Sequence, residues 1–416
     1  MTAGRICIVT PGHLASNPRV VKEADALHAA GYDVSVVAGD LTPAVRPFDQ
    51  DVEAEAPWRV RRVGRGGVLA RGVQRLARIA ARSSRHGVPR WLATLAQSEL
   101  SAGLAAAAAG IPADLYIAHY VAGLAAADAA ARRNGGLLCY DAEDFHAGEA
   151  AGDPAGRASR RLVMAIERPL LTRCVHVTAA SPLIAEAYLE LYGVQAETLL
   201  NVFPLKQMPH VTGMRSPAGA LRMFWFSQTV GLDRGLQAVI EGMAWARGCI
   251  SLDILGTDQW GHGSSLLRLA DSLGLGGRVK LRPAVSPKRL PAIAAEYDLG
   301  LSLETNVSES RQRCLTNKIF VYLLAGIPVV LSDTRAQRLL AADLGRAAAV
   351  ISLADSAAIG SALDRWAFLA DERRLASEEA ARLCQTRYNW DREKDILLRL
   401  VSLALCNGVR NKQCPR

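Results

Sequence analysis

The chain has 416 residues, half of them hydrophobic, and its 49 Lys and Arg outnumber 40 Asp and Glu for a formal charge of +9. That length exceeds one ordinary core and predicts two domains, while the basic excess calls for an acidic partner such as phosphates or an anionic membrane surface. Eight cysteines without C-x-x-C spacing argue against a zinc ribbon or disulfide scaffold and fit a reducing cytosol, and without a run of about 18 apolar residues neither signal peptide nor membrane span is expected.

Residues 5–9 (RICIV) read as a strand, TPG as a turn, residues 17–30 as a helix with Val20, Val21, Ala24 and Leu27 on one face, and residues 34–37 as the next strand. This is a βαβ start with parallel strands. The small-residue loop TPGHLASNPR lets backbone approach a ligand, although it lacks the G-x-G-x-x-G dinucleotide fingerprint. Residues 59–90 hold ten arginines and no acid. Arg71, Arg75, Arg78, Arg82 and Arg85 share one face of a helix over residues 71–85, flanked by Leu69, Val73, Leu76, Ile79 and Ala80. Such a helix either lies on anionic lipid or is the solvated face of a globular domain. Nucleic acid is not expected, since only Trp58 and Trp91 border the segment and no aromatics interleave it.

Residues 114–118 (DLYIA) and 137–140 (LLCY) read as strands that end in His119 and in the cluster DAEDFHAGE, and ligands collect at the carboxyl ends of parallel strands. His119 is either catalytic or a structural hydrogen-bonding residue. Asp141, Glu143, Asp144 and His146 lie too close together on irregular backbone to make a preformed cage, so no metal is expected. A helix near 158–171, a strand at 175–178 and a helix at 183–192 complete the first half, and residues 206–219, rich in Pro and Gly, read as the interdomain linker.

Strands at 222–226, 251–255, 279–281 and 298–303 then alternate with helices at 235–246, 264–273 and 287–296, and a polar loop covers 304–314. In LTNKIFVYLLAGIPVVLSD, a helix stopped by Gly326 feeds a buried strand; Thr316 is the expected N-cap, and Lys318 adds charge to a helix N-terminus suited to phosphate. Residues 356–405 read as helical throughout.

The segments TPGHLASNPRVVKEADALHAAGYDVSVV, DLYIAHYVAGLAAADAA, VTAASPLIAEAYLELYGV with LLNV after it, GLDRGL, NKIFVYLLAGIPVVLSD and RYNWDREKDIL span nearly the whole chain. In this order they resemble the family 4-like glycosyltransferases of the GT-B fold (glycosyl transferases group 1). The resemblance implies an α/β chain of two Rossmann-like domains facing across a cleft. Residues 1–205 would bind the acceptor, 206–385 the nucleotide-sugar donor, and the helix in 386–416 would return to the first domain. The implied activity moves a sugar from a nucleotide diphosphate sugar to the hydroxyl of a glycan, lipid-linked or small-molecule acceptor. Retention of configuration and a role in cell-surface glycan or glycoconjugate synthesis are implied with it. The expected place is the cytoplasm, at the inner face of the membrane if the arginine helix binds lipid.

By the same resemblance His119 contacts the donor sugar, Gly12 lies in the loop near the diphosphate, and Arg234 in GLDRGL clamps that diphosphate. Thr316, Asn317 and Lys318 supply donors to phosphates or ribose. Ser227 and Gln228 belong to the donor site, with Gln228 where the family carries a second Arg. The family's acidic pair falls on Arg313 and Val321, so Glu304 or Glu309 would take over a sugar or ribose contact. The rival readings are a sugar-nucleotide epimerase and a catalytically inactive GT-B protein that binds glycan or scaffolds an assembly.

Overall fold

The structure, a computed structural model, describes residues 4–84, 87–150, 152–209 and 216–413. The chain divides into two compact units: Met1–Leu200 with Ser308–Ser310 and Lys394–Arg416, and Asn201–Val307 with Arg311–Glu393. Of the expected linker, residues 210–215 fall outside the described residues.

The first unit is built on β1 (Arg5–Thr10), β2 (Asp33–Asp40), β3 (Arg59–Gly64), β4 (Leu115–His119), β5 (Leu137–Ala142), β6 (Cys174–Ala179) and β7 (Glu197–Thr198). Their order in the sheet is β3-β2-β1-β4-β5-β6-β7, and every pairing is parallel. The second unit repeats the scheme with β8 (Ala220–Thr229), β9 (Cys249–Thr257), β10 (Val279–Arg282), β11 (Leu299–Ser302), β12 (Val329–Ser332) and β13 (Ala348–Ile351). Its order is β10-β9-β8-β11-β12-β13, again parallel. The central strands are buried along almost their whole length, as parallel strands covered by helices must be. In each sheet the order reverses between two central strands, β1 and β4 or β8 and β11. Loops leaving the carboxyl ends there diverge, which opens the place where α/β sheets bind ligands.

Four expectations need correction. Arg59–Gly64 is the edge strand β3, and the arginine helix runs Val68–Ser83 rather than over residues 71–85, with Arg85 outside the described residues. Gly64, Gly66 and Gly67 separate the two, and Gly67 is the helix N-cap. The polar loop contains a short helix, Glu309–Arg313. The C-terminal stretch is three helices, Ser356–Phe368, Ala370–Thr386 and Trp390–Gln413. Asn389 makes the second break: its amide donates to the carbonyls of Cys384 and Gln385, and its Oδ1 accepts from Arg392 N at 3.1 Å, so one side chain closes one helix and opens the next. Thr316 does stand at the N-cap of the helix Asn317–Leu324, but its hydroxyl pairs with Ser302 at 2.9 Å instead of capping.

That helix ends as read from the sequence, with Gly326 at φ +63° in the left-handed region. It packs on β11 so closely that a Cβ on Gly300 would lie 2.2 Å from Cγ of Tyr322. Tyr322 in turn reaches the carbonyl oxygens of Phe224 and Leu301 at 3.1 and 3.2 Å, which fixes the helix against the sheet. Gly300→Ala is expected to cost about 1–3 kcal/mol by overpacking. Differential scanning calorimetry would show this as a drop of several degrees in the midpoint of the second unit, and an unchanged midpoint would mean that Tyr322 moves aside freely.

Candidate functional site

In the second unit the carboxyl end of β11 leads into Glu304, whose side chain is fully buried. Its backbone N–H donates to Ser332 Oγ at 2.8 Å, and Ser332 donates to Gln337, which bonds Ser302, the partner of Thr316. The sequence places small hydroxyl residues at the ends of β11 and β12, and Gln337 on the following helix ties them together. Three cations surround the carboxylate: Arg311 as a direct hydrogen-bonded pair, Arg234 at 3.5 Å and Lys318 at 3.9 Å. Asp233, half exposed, approaches Arg311 and Arg234 at 3.6 and 3.7 Å, and Thr305 donates to the Asp233 carbonyl at 2.9 Å, which pins the loop of Arg234 beside the loop of Glu304. Lys318 is buried beneath the ring of Trp225, 5.6 Å from its centroid. Burial lowers its pKa, Glu304 opposes that shift, and repulsion from Arg234 and Arg311 adds to it.

Among the described residues, Glu304 Oε1 has no hydrogen-bond donor even though it is buried. Three cations, Arg234, Arg311 and Lys318, outnumber the two nearby acids, Glu304 and Asp233, and a cradle with that balance suits an anion. Gly235 makes the turn possible, with φ +71° and a Cβ position only 2.7 Å from Leu353.

The first unit gathers a different set at the carboxyl ends of β4 and β5. His119 is fully buried; Nδ1 donates to Glu143 at 2.9 Å and Nε2 to Glu23 at 3.0 Å. Arg19, also without exposure, makes a forked pair to Asp141 at 2.9 and 2.6 Å and donates to the Leu199 carbonyl at 2.7 Å. Thr178 donates to Asp141, and Asn17 donates to Glu143, both at 2.6 Å. Burial alone would lower the pKa of His119, but Glu23, Glu143 and Asp141 outweigh it and raise the value to about 10. Tyr120, the next residue, has φ +59°, a strained conformation for a non-glycine residue and one held only where its surroundings demand it.

Glu23, His119 and Asp141 offer ligand atoms within 4.8 Å of one another, a geometry with room for a cation. The guanidinium of Arg19 already fills that electrostatic role at Asp141. In the cluster from Asp141 to His146, where no metal was expected, His146 Nδ1 lies 2.5 Å from Glu149.

Of the residues singled out in the sequence, Arg234, Lys318 and Glu304 come together. Thr316 joins them through Ser302, while Asn317 is half-buried on the first turn of the same helix. Ser227 and Gln228 occupy a bulge where β8 slips register against β9, Ser227 half-buried and Gln228 exposed. Gly12 is half-buried after β1, its N–H on Thr10 Oγ1 at 3.2 Å, with nothing but that oxygen near its missing Cβ. The sugar contact implied for His119 requires one of its two carboxylate partners to let go. Val321, at the position of the family's second acid, is buried in the core, and Glu309 is exposed on the short helix.

Sequence reading missed Arg311 and Arg19. Arg311 sat in a stretch taken for loop, and Arg19 follows a proline in a helix whose apolar face was read without it. The alternation of Asp141 with Arg19 across 122 residues leaves no local signal.

Three solved structures are similar over their whole length. Anabaena HepE in complex with UDP-glucose has a TM-score of 0.70 at 14% identity, covering 96% of this chain and 99% of that one. Sucrose-phosphate synthase from Thermosynechococcus elongatus follows at 0.69 and 15%, covering 97% and 99%. The lipopolysaccharide outer core galactosyltransferase WaaB has 0.57 and 12%, covering 98% and 99%. Residues 15–204 match a family model described as a glycosyl transferase 4-like domain. The chain has the two-sheet α/β fold of these GT-B glycosyltransferases, and the 4-like match is confined to its first unit and the start of its second. No curated protein matches the sequence. The matched segment holds the buried network of Arg19, Glu23, His119 and Asp141, and the cation cradle lies beyond it.

Two consequences follow from the charges. Glu304→Gln leaves Arg234, Arg311 and Lys318 facing one another and is expected to destabilise the second unit by about 3–5 kcal/mol. Added pyrophosphate should restore part of the lost thermal midpoint, more than it raises that of the wild type. For His119, a pKa raised from 6.5 to about 10 means that the stability it contributes is complete below pH 6.5 and is lost as pH climbs toward 10. Urea denaturation across that range should show the first unit weakening, with a shallower slope in His119→Gln.

Proposed function

We propose that this protein transfers a hexosyl group from a nucleotide diphosphate sugar to an acceptor hydroxyl, with retention, in the synthesis of a surface glycan or glycoconjugate in the cytoplasm. The observation that carries the reading is the convergence of Arg234, Arg311 and Lys318 on one buried carboxylate at the carboxyl end of a central parallel strand. A diphosphate entering this cradle meets guanidinium and ammonium groups already in place, so charge that builds on the leaving nucleotide is stabilised without rearranging solvent. As the bond from the sugar carbon to the diphosphate oxygen breaks, its electron pair stays with the nucleotide; the acceptor oxygen forms the new bond on the same face, and its proton passes to the departing diphosphate oxygen. Cations do the work that a metal does elsewhere, so the proposal includes none. The acceptor, a glycan, a lipid-linked intermediate or a small molecule, is assigned to the first unit by the family resemblance.

HepE, of similar fold, binds UDP-glucose and UDP, which supports uridine diphosphate sugars as the first donors to try. Val321 in place of an acid favours a second reading, a non-catalytic protein that binds glycan without turnover.

Calorimetry and thermal shift against UDP, GDP, ADP, dTDP and their common sugars separate these readings. One nucleotide is expected to raise the melting temperature by binding the native state. Arg234→Ala and Lys318→Ala should each weaken it about 10- to 100-fold, the usual contribution of a charge-assisted hydrogen bond. No binding by any nucleotide would defeat the transferase reading, and binding without sugar transfer would favour the non-catalytic one.

A further inference from the structure

The helix Val68–Ser83 presents three faces. Ala70, Gln74, Ala77 and Ala81, spaced by four, three and four, turn toward the first unit, with Ala77 and Ala81 buried. Arg78 ties it down by donating to the Ala96 carbonyl at 2.9 Å. The large apolar residues face away from the protein: Val68 is 79% exposed, Leu69 82%, Leu76 68% and Ile79 56%. On the opposite flank stand Arg71, Arg75 and Arg82, all exposed, and none of them pairs with an acid among the described residues. An amphipathic helix normally buries its leucines; this one buries its alanines and leaves a leucine ridge in water.

At the C-terminal end of the ridge, Arg82 lines a surface cavity of about 410 Å³ with Arg157 and Arg161 from the helix Pro154–Leu171. Arg157 donates to the Gly152 carbonyl, and Arg161, like Arg82, has no acidic partner among the described residues. Three guanidiniums at one hollow match the oxygens of a phosphate monoester or diester.

We infer that this face docks on an anionic membrane, with Leu69, Leu76 and Ile79 inserted among the acyl chains and a lipid headgroup phosphate held by Arg82, Arg157 and Arg161. A convex helix about 24 Å long offers no groove to a peptide. A second copy of the chain would bring arginine flanks together, whereas anionic headgroups neutralise them. Insertion along one face is the way such a helix holds a membrane, and among the described residues no helix is long and apolar enough to cross one. The proposal extends the transferase reading by giving it a surface on which a lipid-linked acceptor would be met, and its test is independent of turnover.

Sedimentation of the full chain with phosphatidylcholine vesicles, with and without phosphatidylglycerol, provides that test. Binding is expected only with phosphatidylglycerol. Arg157→Ala with Arg161→Ala should weaken it about 30-fold, from two basic contacts to an anionic surface. Leu69→Asp with Leu76→Asp, at exposed sites that folding does not need, should abolish it while the thermal shift with nucleotide is kept. No vesicle binding, equal binding to neutral vesicles, or a concentration-dependent dimer in ultracentrifugation that the leucine variant abolishes would overturn the proposal. So would occupation of the arginine hollow by free inorganic phosphate that leaves vesicle binding unchanged. Loss of nucleotide binding in wild type would count against the transferase reading alone.

Discussion

A carboxylate removed from water needs cations beside it, and the two units of this protein are arranged around groups that meet that demand. Glu304 has Arg311, Arg234 and Lys318; Asp141 has Arg19, and His119 is held between Glu23 and Glu143. Each set sits where a parallel sheet reverses its strand order. The coincidence has a physical cause: there the loops part, backbone N–H groups at the starts of helices point outward, and polar side chains gather without breaking the apolar layers beneath.

The two clusters balance charge differently. Around His119 three acids, Glu23, Asp141 and Glu143, face Arg19 and a histidine whose carboxylate neighbours keep it protonated, so there the acids are in excess. Around Glu304 the balance is reversed, with Arg234, Arg311 and Lys318 against Glu304 and the half-exposed Asp233. A buried carboxylate in this position offsets part of the repulsion between Lys318 and its neighbours Arg234 and Arg311.

The leucine ridge obeys the opposite logic. Alanines, small enough to let the helix lie close against the unit, occupy the inner face, and the larger residues are left outside. A globular protein gains nothing in solution from that inversion, whereas a surface of lipid tails and anionic headgroups rewards both the leucines and the arginines.

Much of this was legible in the amino-acid order. Runs such as RICIV, LYIA and IPVVLS are continuous and β-branched because both faces of a parallel strand are buried, and alternation with helices fixed two α/β halves. Gly326 announced the end of its helix because only a residue without Cβ takes φ +63° at no cost. Arg234 and Lys318 were visible because local motifs carry them. The edge strand β3 was not, since its arginines are polar on both sides and pairing with β2 alone makes it a strand. Arg19 with Asp141, and Arg311 with Glu304, were decided by folding. Local spacing and periodicity are written residue by residue, but which charges share a low-dielectric site depends on which strand ends meet, and only the tertiary structure sets that.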